Sequence, residues 1–258
     1  MSHSITFIGA GNLATRLSVE LKKSGFTIKQ VYSPTNKSAK ELADKLQSDY
    51  TTSPKEISDS ADIYFVALKD SAFEEVLPRI NFQNKLVVHC SGSMPLSAIE
   101  KHSQKTGVFY PLQTFSKERT VNFKEIPVFI EANSPENERT LLQIGREISE
   151  KVLVLNSEKR IYLHIAAVFV CNFVNHFYTI GEEVLKMKTL PFELLRPLIL
   201  ETALKVQNIH PVNAQTGPAV RMDNNVISKH RELLKESPEF SSLYEEITQS
   251  IYKYHQKK

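Results

Sequence analysis

Two rhythms of apolar residues run along this chain. Short, nearly unbroken apolar runs recur at Ile5–Ile8, Ile28–Tyr32, Ile63–Ala67, Leu86–His89, Gly107–Phe109 and Val128–Ile130. Between several of them the apolar positions open to a helical spacing, over Leu13–Lys23, Lys37–Gln47 and Phe73–Arg79. Strands alternating with helices predict an α/β fold with a doubly wound parallel sheet. Val152–Leu155 fits a last strand at the sheet edge. Beyond Leu155 the pattern is helical throughout: a long stretch from Ser157 or Glu158 to about Lys186, then Pro191–Asn208, Asn224–Lys235 and Pro238–Tyr254. Pro191 and Pro238 suit first-turn positions. Residues 1–155 are therefore expected to form one domain and residues 156–258 an all-helical second one.

The first strand runs straight into Gly9-Ala10-Gly11-Asn12-Leu13-Ala14, and a helix follows. Gly9 permits the tight turn, Gly11 clears the backbone for a pyrophosphate, and Ala14 keeps the helix close to the sheet. The first helical N–H groups, including those near Asn12 and Leu13, then face a phosphate with the helix dipole behind them. A Gly-x-Gly-x-x-Ala turn at a strand–helix junction predicts dinucleotide binding on a Rossmann-type domain. The competing reading is a tight turn without a ligand.

The loop after the second strand selects the nucleotide. An NAD site usually carries Asp or Glu there. This loop reads Ser33-Pro34-Thr35-Asn36-Lys37, with no carboxylate to repel a 2′-phosphate. Its hydroxyls, amide and lysine favour NADP, with NAD still possible. It lacks an arginine, the usual bidentate phosphate partner. It could equally be a polar loop that caps the next helix. Leu68 and Lys69 follow the third apolar run and are expected at the same ligand-binding edge. Lys69 could also simply face solvent.

Composition narrows the partners. The chain has 258 residues, a net charge of +3 and 41% hydrophobic residues, an ordinary balance for a globular protein. Lysines concentrate only at Lys253, Lys257 and Lys258, which reads as a frayed, solvated terminus rather than a nucleic-acid surface. The longest apolar run, Ile165 to Cys171, stops at Asn172, so no membrane span is expected. No signal peptide is expected ahead of a strand that begins by Ile5. Cys90 and Cys171 form no metal motif, fit a reducing cytoplasm and read as buried thiols.

Several polar groups fall where chemistry is expected. His89-Cys90-Ser91-Gly92 follows the fourth strand. His89 could donate a proton or be a buried strand-end histidine, and Ser91 could approach a nicotinamide. Tyr110 precedes Pro111-Leu112-Gln113-Thr114-Phe115, whose Gln113 and Thr114 suggest contacts to a ligand or an interface. On a helical wheel at about 100° per residue, His164, Asn172, Asn175, Thr179 and Glu182 share one narrow stripe. That stripe is either the outer face of an amphipathic helix or a cleft lining. Thr216-Gly217-Pro218 forms a turn, Arg221 offers a fork for a carboxylate, and Asp223 either orients Arg221 or caps the next helix. His230 reads as a surface or interface residue.

These landmarks together resemble a two-domain family. It joins an F420-dependent-type NADP oxidoreductase domain to a domain of unknown function, DUF2520. It is distantly related to pyrroline-5-carboxylate reductase, 6-phosphogluconate dehydrogenase and prephenate dehydrogenase. The resemblance is carried by the Gly9/Gly11/Ala14 turn, His89–Gly92, Pro111–Phe115, Ala166-Ala167 with Asn172, and Thr216-Gly217-Pro218 with Arg221 and Asp223. It supports Asn172 as a cleft residue and supplies no substrate. The family usually reads His-Pro-Leu-Gln-Thr-Phe where this chain has Tyr110. A tyrosine can still donate a proton but titrates far higher.

The expectation is an NADP-dependent oxidoreductase. Hydride would pass between the nicotinamide and a small C=O or C=N substrate, with His89, Ser91, Tyr110 or Asn172 assisting and the helical domain closing over it. The rival expectation is a non-catalytic nucleotide sensor or assembly protein. F420 as redox partner rests on the domain resemblance alone. The apolar helices and the frequency of two-fold assembly point to a homodimer.

Overall fold

A computed structural model describes residues 3–256. Lys257 and Lys258 of the expected basic tail lie outside the described residues, and Lys253 sits within the last helix.

The strands are β1 (Ser4–Ile8), β2 (Thr27–Tyr32), β3 (Asp49–Thr51), β4 (Ile63–Val66), β5 (Leu86–His89), β6 (Lys105–Pro111), β7 (Val128–Ala132) and β8 (Val152–Val154). They form one sheet in the order β3-β2-β1-β4-β5-β6-β7-β8. Strand order reverses between β1 and β4, so the crevice for a ligand opens there, at the carboxyl ends of the strands. The continuous apolar runs are explained by burial on both faces. Phe7, Val31, Phe65, Val88 and Phe109 face one layer, with Leu17, Leu42 and Leu141 from the helices α1 (Asn12–Lys23), α2 (Asn36–Leu46) and α5 (Pro135–Ile148). Ile8, Tyr64, Val66 and Val87 face the other, against Phe73 of α3 (Phe73–Val76) and Ile99 of α4 (Ser97–Glu100).

The fold class holds, with one reversal. β7 runs antiparallel to β6, pairing Gly107 with Ala132 and Pro111 with Val128. No long helix lies in the 112–127 connection, so the chain returns beside β6 in the opposite direction. The edge strand β3 and helix α5 are absent from the sequence reading. β3 has only three residues and two of them are exposed. α5 does carry a start signal: Ser134 Oγ accepts from Asn137 N, and Pro135 occupies the first turn.

The helical stretch departs more. The structure has α6 (Ser157–Ala167), a π-helical segment Val168–Phe173 and α7 (Val174–Lys186) in one continuous run. The expected wheel assumed a uniform α-helix. The wider π turn from Val168 interrupts the uniform spacing on which that wheel rests. The run is 30 residues long and apolar enough to cross a membrane by length and composition, with a mean hydropathy of 1.4 over its best window. That corrects the expectation that no segment reaches such a length, since Asn172 interrupts the apolar run but not the helix. The expected helix from Pro191 divides into a short 3-10 turn, Phe192–Leu195, and α8 (Arg196–Asn208). There follow α9 (Pro211–Ala214), α10 (Pro218–Arg221), α11 (Asn224–Leu233) and α12 (Pro238–Gln256).

The chain divides into two compact units, residues 1–172 and 173–258. The change from strands to helices falls between β8 and α6, whereas the compact units divide after Asn172.

Candidate functional site

The Gly9 turn is built by close approach. Gly9 has a φ of +122°, and a Cβ there would lie 2.4 Å from the Ala67 carbonyl oxygen. The absence of a side chain lets the loops after β1 and β4 lie side by side. Gly9 N donates to Tyr32 O at 2.8 Å. Gly11 is different. It is exposed, extended, and a Cβ there would meet nothing within 4 Å. It precedes α1 as the cap residue, with no side-chain cap and no acidic residue in the first turn. The first N–H groups of α1 are therefore free for an anion. Ala14, 1% exposed, sets the helix against the sheet.

Gly11, Asn12, Leu13, Leu68 and Lys69 all line a cavity of about 710 Å³ within the first unit. Ser91, Gly92, Tyr110, Gln113, Thr114, His164 and Asn172 line the same cavity. Its volume suits a cofactor-sized ligand. The open space at Gly11 and the bare helix end fit a dinucleotide pyrophosphate.

His89 does not line the cavity. It is fully buried, and its Nδ1 accepts from Ser91 N at 3.2 Å. Burial, aided by the Arg160 charge, lowers its pKa to about 4, although the Pro95 carbonyl and Asp70 pull the other way. Its Nε2 has no partner of ordinary hydrogen-bond geometry among the described residues. Of its two expected readings, proton donor or buried strand-end histidine, the burial of His89 at the end of β5 and its place outside the cavity lining fit the second. The Ser91 hydroxyl accepts from Ser93 N at 3.2 Å and Met94 N at 3.1 Å, and lies 3.1 Å from Ser93 Oγ. Ser93 Oγ in turn donates to Asp70. Ser91 is in the cavity wall, but its hydroxyl already organises the 91–94 turn. Cys90 is buried, and burial pushes its thiol pKa up, as a buried thiol requires. Cys171 is also unpaired but only partly buried.

Tyr110 closes the inner wall. Its hydroxyl lies 3.1 Å from His164 Nδ1. Gly92 makes room for this pair: a Cβ on it would lie 2.6 Å from His164 Nδ1 and 2.7 Å from Tyr110 Cζ. Burial raises the Tyr110 pKa, and the nearby Arg160 guanidinium opposes the rise. Arg160 itself is 1% exposed and pairs with Glu131 of β7. It also donates to Met94 O at 2.6 Å and Ser157 Oγ at 3.2 Å. Ser157 donates from its backbone and hydroxyl to Glu131 at 3.0 and 2.8 Å, and its Oγ accepts from Leu96 N at 2.9 Å. This network pins the start of α6 to the sheet. One turn later on the same helix face stands His164. The sequence reading did not single out Arg160, Glu131 or the His164–Tyr110 contact. The outer wall is held by Arg16 of α1, which donates to Ser116 O at 2.8 Å and Lys117 O at 2.5 Å.

The other expected residues lie elsewhere. Ser33 is buried, and its N–H donates to Thr51 O at 3.2 Å. Thr35, Asn36 and Lys37 are exposed at the start of α2, whose cap makes no side-chain hydrogen bond. Lys37 reaches Glu41 only at 3.9 Å. Asn175, Thr216, Gly217, Arg221 and Asp223 belong to the second unit. Thr216 lines a separate cavity there, of about 560 Å³, with Phe177, His230 and Tyr244. Gly217, at a φ of +106°, precedes the one-turn helix α10. Asp223 caps α11, accepting from Val226 N at 3.3 Å. Among the described residues no ion pair joins it to Arg221, so of the two expected roles the cap is the one observed.

The fold and this cavity define a nicotinamide-type oxidoreductase architecture. Residues 4–92 match the family described as NADP oxidoreductase, coenzyme F420-dependent, and residues 126–251 match the domain of unknown function DUF2520. A proposed NADP oxidoreductase from Bacteroides fragilis is 49% identical, with 98% of each chain covered and a TM-score of 0.94. The chain belongs to this two-domain NADP oxidoreductase-type family. A 1-pyrroline-5-carboxylate reductase from Streptococcus pyogenes shares the fold at 15% identity, covering 98% of this chain and 99% of that one, TM-score 0.66. An imine reductase from Myxococcus stipitatus in complex with NADP+ does so at 16%, covering 98% and 93%, TM-score 0.66. No curated protein matches the chain.

Proposed function

We propose that the chain is an NADP-dependent reductase of a small carbonyl or imine compound. One observation carries this reading: the bare N-terminus of α1 and Tyr110 line the same cavity. Gly11 and the N–H groups of Asn12 and Leu13 would hold the pyrophosphate, and Leu68 and Lys69 would flank it. Thr35, Asn36 and Lys37 would take the 2′-phosphate, in a loop without a carboxylate. A reduced nicotinamide, when bound, supplies hydride. Gln113, Thr114 and Asn172 would orient the substrate in the cavity, and Tyr110 is the proton donor best placed in its wall. The imine reductase held with NADP+ supports the coenzyme by likeness of fold.

We further propose a homodimer. Leu194, Leu198, Leu200 and Leu204 are each 52–62% exposed. So large an apolar surface needs a cover, and a second copy is the simplest one.

Titration with NADPH and NADH, followed by nicotinamide fluorescence, tests the coenzyme reading. Tight binding that favours NADPH is expected. No binding of either would overturn it. Binding without turnover of any keto acid or cyclic imine would instead favour a nucleotide sensor, a reading that the tyrosine at position 110 keeps in play.

A further inference from the structure

We propose that Tyr110 and His164 act as a proton-donating pair: Tyr110 protonates the substrate heteroatom, and His164 restores the phenolic proton. This rests on the reductase reading above and adds a residue to it. Four observations carry it. The hydroxyl and Nδ1 are within hydrogen-bond reach at 3.1 Å, and both rings line the cavity. Gly92 has no side chain to separate them. The Arg160 network fixes the helix turn that brings His164 over Tyr110. The alternatives on this wall are poorer donors: the Ser91 hydroxyl directs its proton to Ser93 Oγ, which itself donates to Asp70, His89 is outside the cavity, and the Asn172 amide has no acidic proton.

The balance is simple. The hydride, with its electron pair, comes from the reduced nicotinamide, which leaves oxidised, and forms a C–H bond at the carbonyl or imine carbon. The π pair of the broken C=O or C=N double bond settles on the heteroatom, which takes the Tyr110 proton. The phenolate takes the proton carried on Nδ1 of His164, and the ring takes one back from water at its other nitrogen. The Arg160 charge partly offsets the burial that raises the Tyr110 hydroxyl. Acid catalysis of this kind is worth about 100-fold to 10,000-fold in rate.

The test has two readouts. Nitrogen-edited NMR of the histidine rings in the coenzyme-free protein reports the pair directly. Tyr110→Phe is expected to shift the His164 ring signals, and unchanged signals would overturn the contact. The second readout is NADPH oxidation with 1-pyrroline and with pyruvate as probes. Tyr110→Phe should lower kcat by about 100-fold or more, with NADPH affinity and KM little changed. His164→Gln should lower kcat by a smaller factor, and Tyr110→His should recover much of the Tyr110→Phe loss. Retained kcat in Tyr110→Phe overturns the proposal. So does a wild-type protein that binds NADPH but turns over neither probe, which leaves the coenzyme reading standing. Failure to bind NADPH at all removes the coenzyme reading itself, and the titration shows that before any variant is made.

Discussion

In the first unit, strands β4 and β5 are buried along their whole length, and Tyr50 is the one exposed large apolar side chain described before Leu153. In the second unit only Ile227 and Thr248 are buried among the described residues, while leucines on α8 stand 52–62% exposed. The first unit has its own two-layered core. The second has the length of a domain without the interior of one. Ordering a residue costs about 1–2 kcal/mol of backbone entropy, and burial recovers it only where apolar surface leaves water. A helical unit turned outward therefore needs surface from outside itself. Under the proposals above, coenzyme chemistry sits on the self-sufficient unit and assembly on the dependent one.

The largest test strikes the dependent unit. Leu198→Glu with Leu204→Glu should be neutral, within about 0.5 kcal/mol, if α8 faces water. Under the dimer reading it places charges in an apolar contact, so the dimer dissociates and the second unit loses helix, at a cost of about 3 kcal/mol or more. Sedimentation equilibrium and far-ultraviolet circular dichroism read both. The next test strikes the other side. Arg160→Leu leaves the partly buried Glu131 without its cation and should cost about 3 kcal/mol in denaturant unfolding. A loss below 1 kcal/mol would mean that α6 is held by packing instead.

The third test uses pH. The His89 pKa falls from 6.5 to about 4 on folding. The unfolded chain therefore binds more protons between those values, and stability falls as pH falls through that window. From pH 7 to pH 5 the loss from this group is about 2 kcal/mol. Urea unfolding at both pH values should show it, and His89→Gln should remove that part of the slope. The smallest effect on stability is expected from Gly11→Ala. The backbone there is extended and the space open, so unfolding should change by less than about 0.5 kcal/mol. NADPH affinity should nevertheless fall at least about tenfold, since the methyl group stands where the pyrophosphate would lie. Equal affinity would move the coenzyme elsewhere.

What could be read in the sequence was what is local. The two-layered sheet shows because buried parallel strands are continuous apolar runs, and the Gly9–Ala14 turn shows because its three small residues act within one loop. The antiparallel β7 did not show, because strand direction depends on the connection and not on the strand's own pattern. The π segment did not show, because the residues Val168–Phe173 suit an α turn as well as a π turn. The site divided along the same line. Tyr110 stood out beside a recognisable loop, but its partner His164 is 54 positions away. Arg160 looked like one more helix arginine until Glu131, Met94 and Ser157 surrounded it.

Gly92 carries an evolutionary consequence. Because any side chain there collides with both rings, positions 92, 110 and 164 cannot drift independently. A descendant lineage that gains a side chain at 92 must shift or shrink the rings at both 110 and 164. In a set of related sequences these three positions should therefore change together, and a lineage that has broken the trio should also have changed the compound it handles.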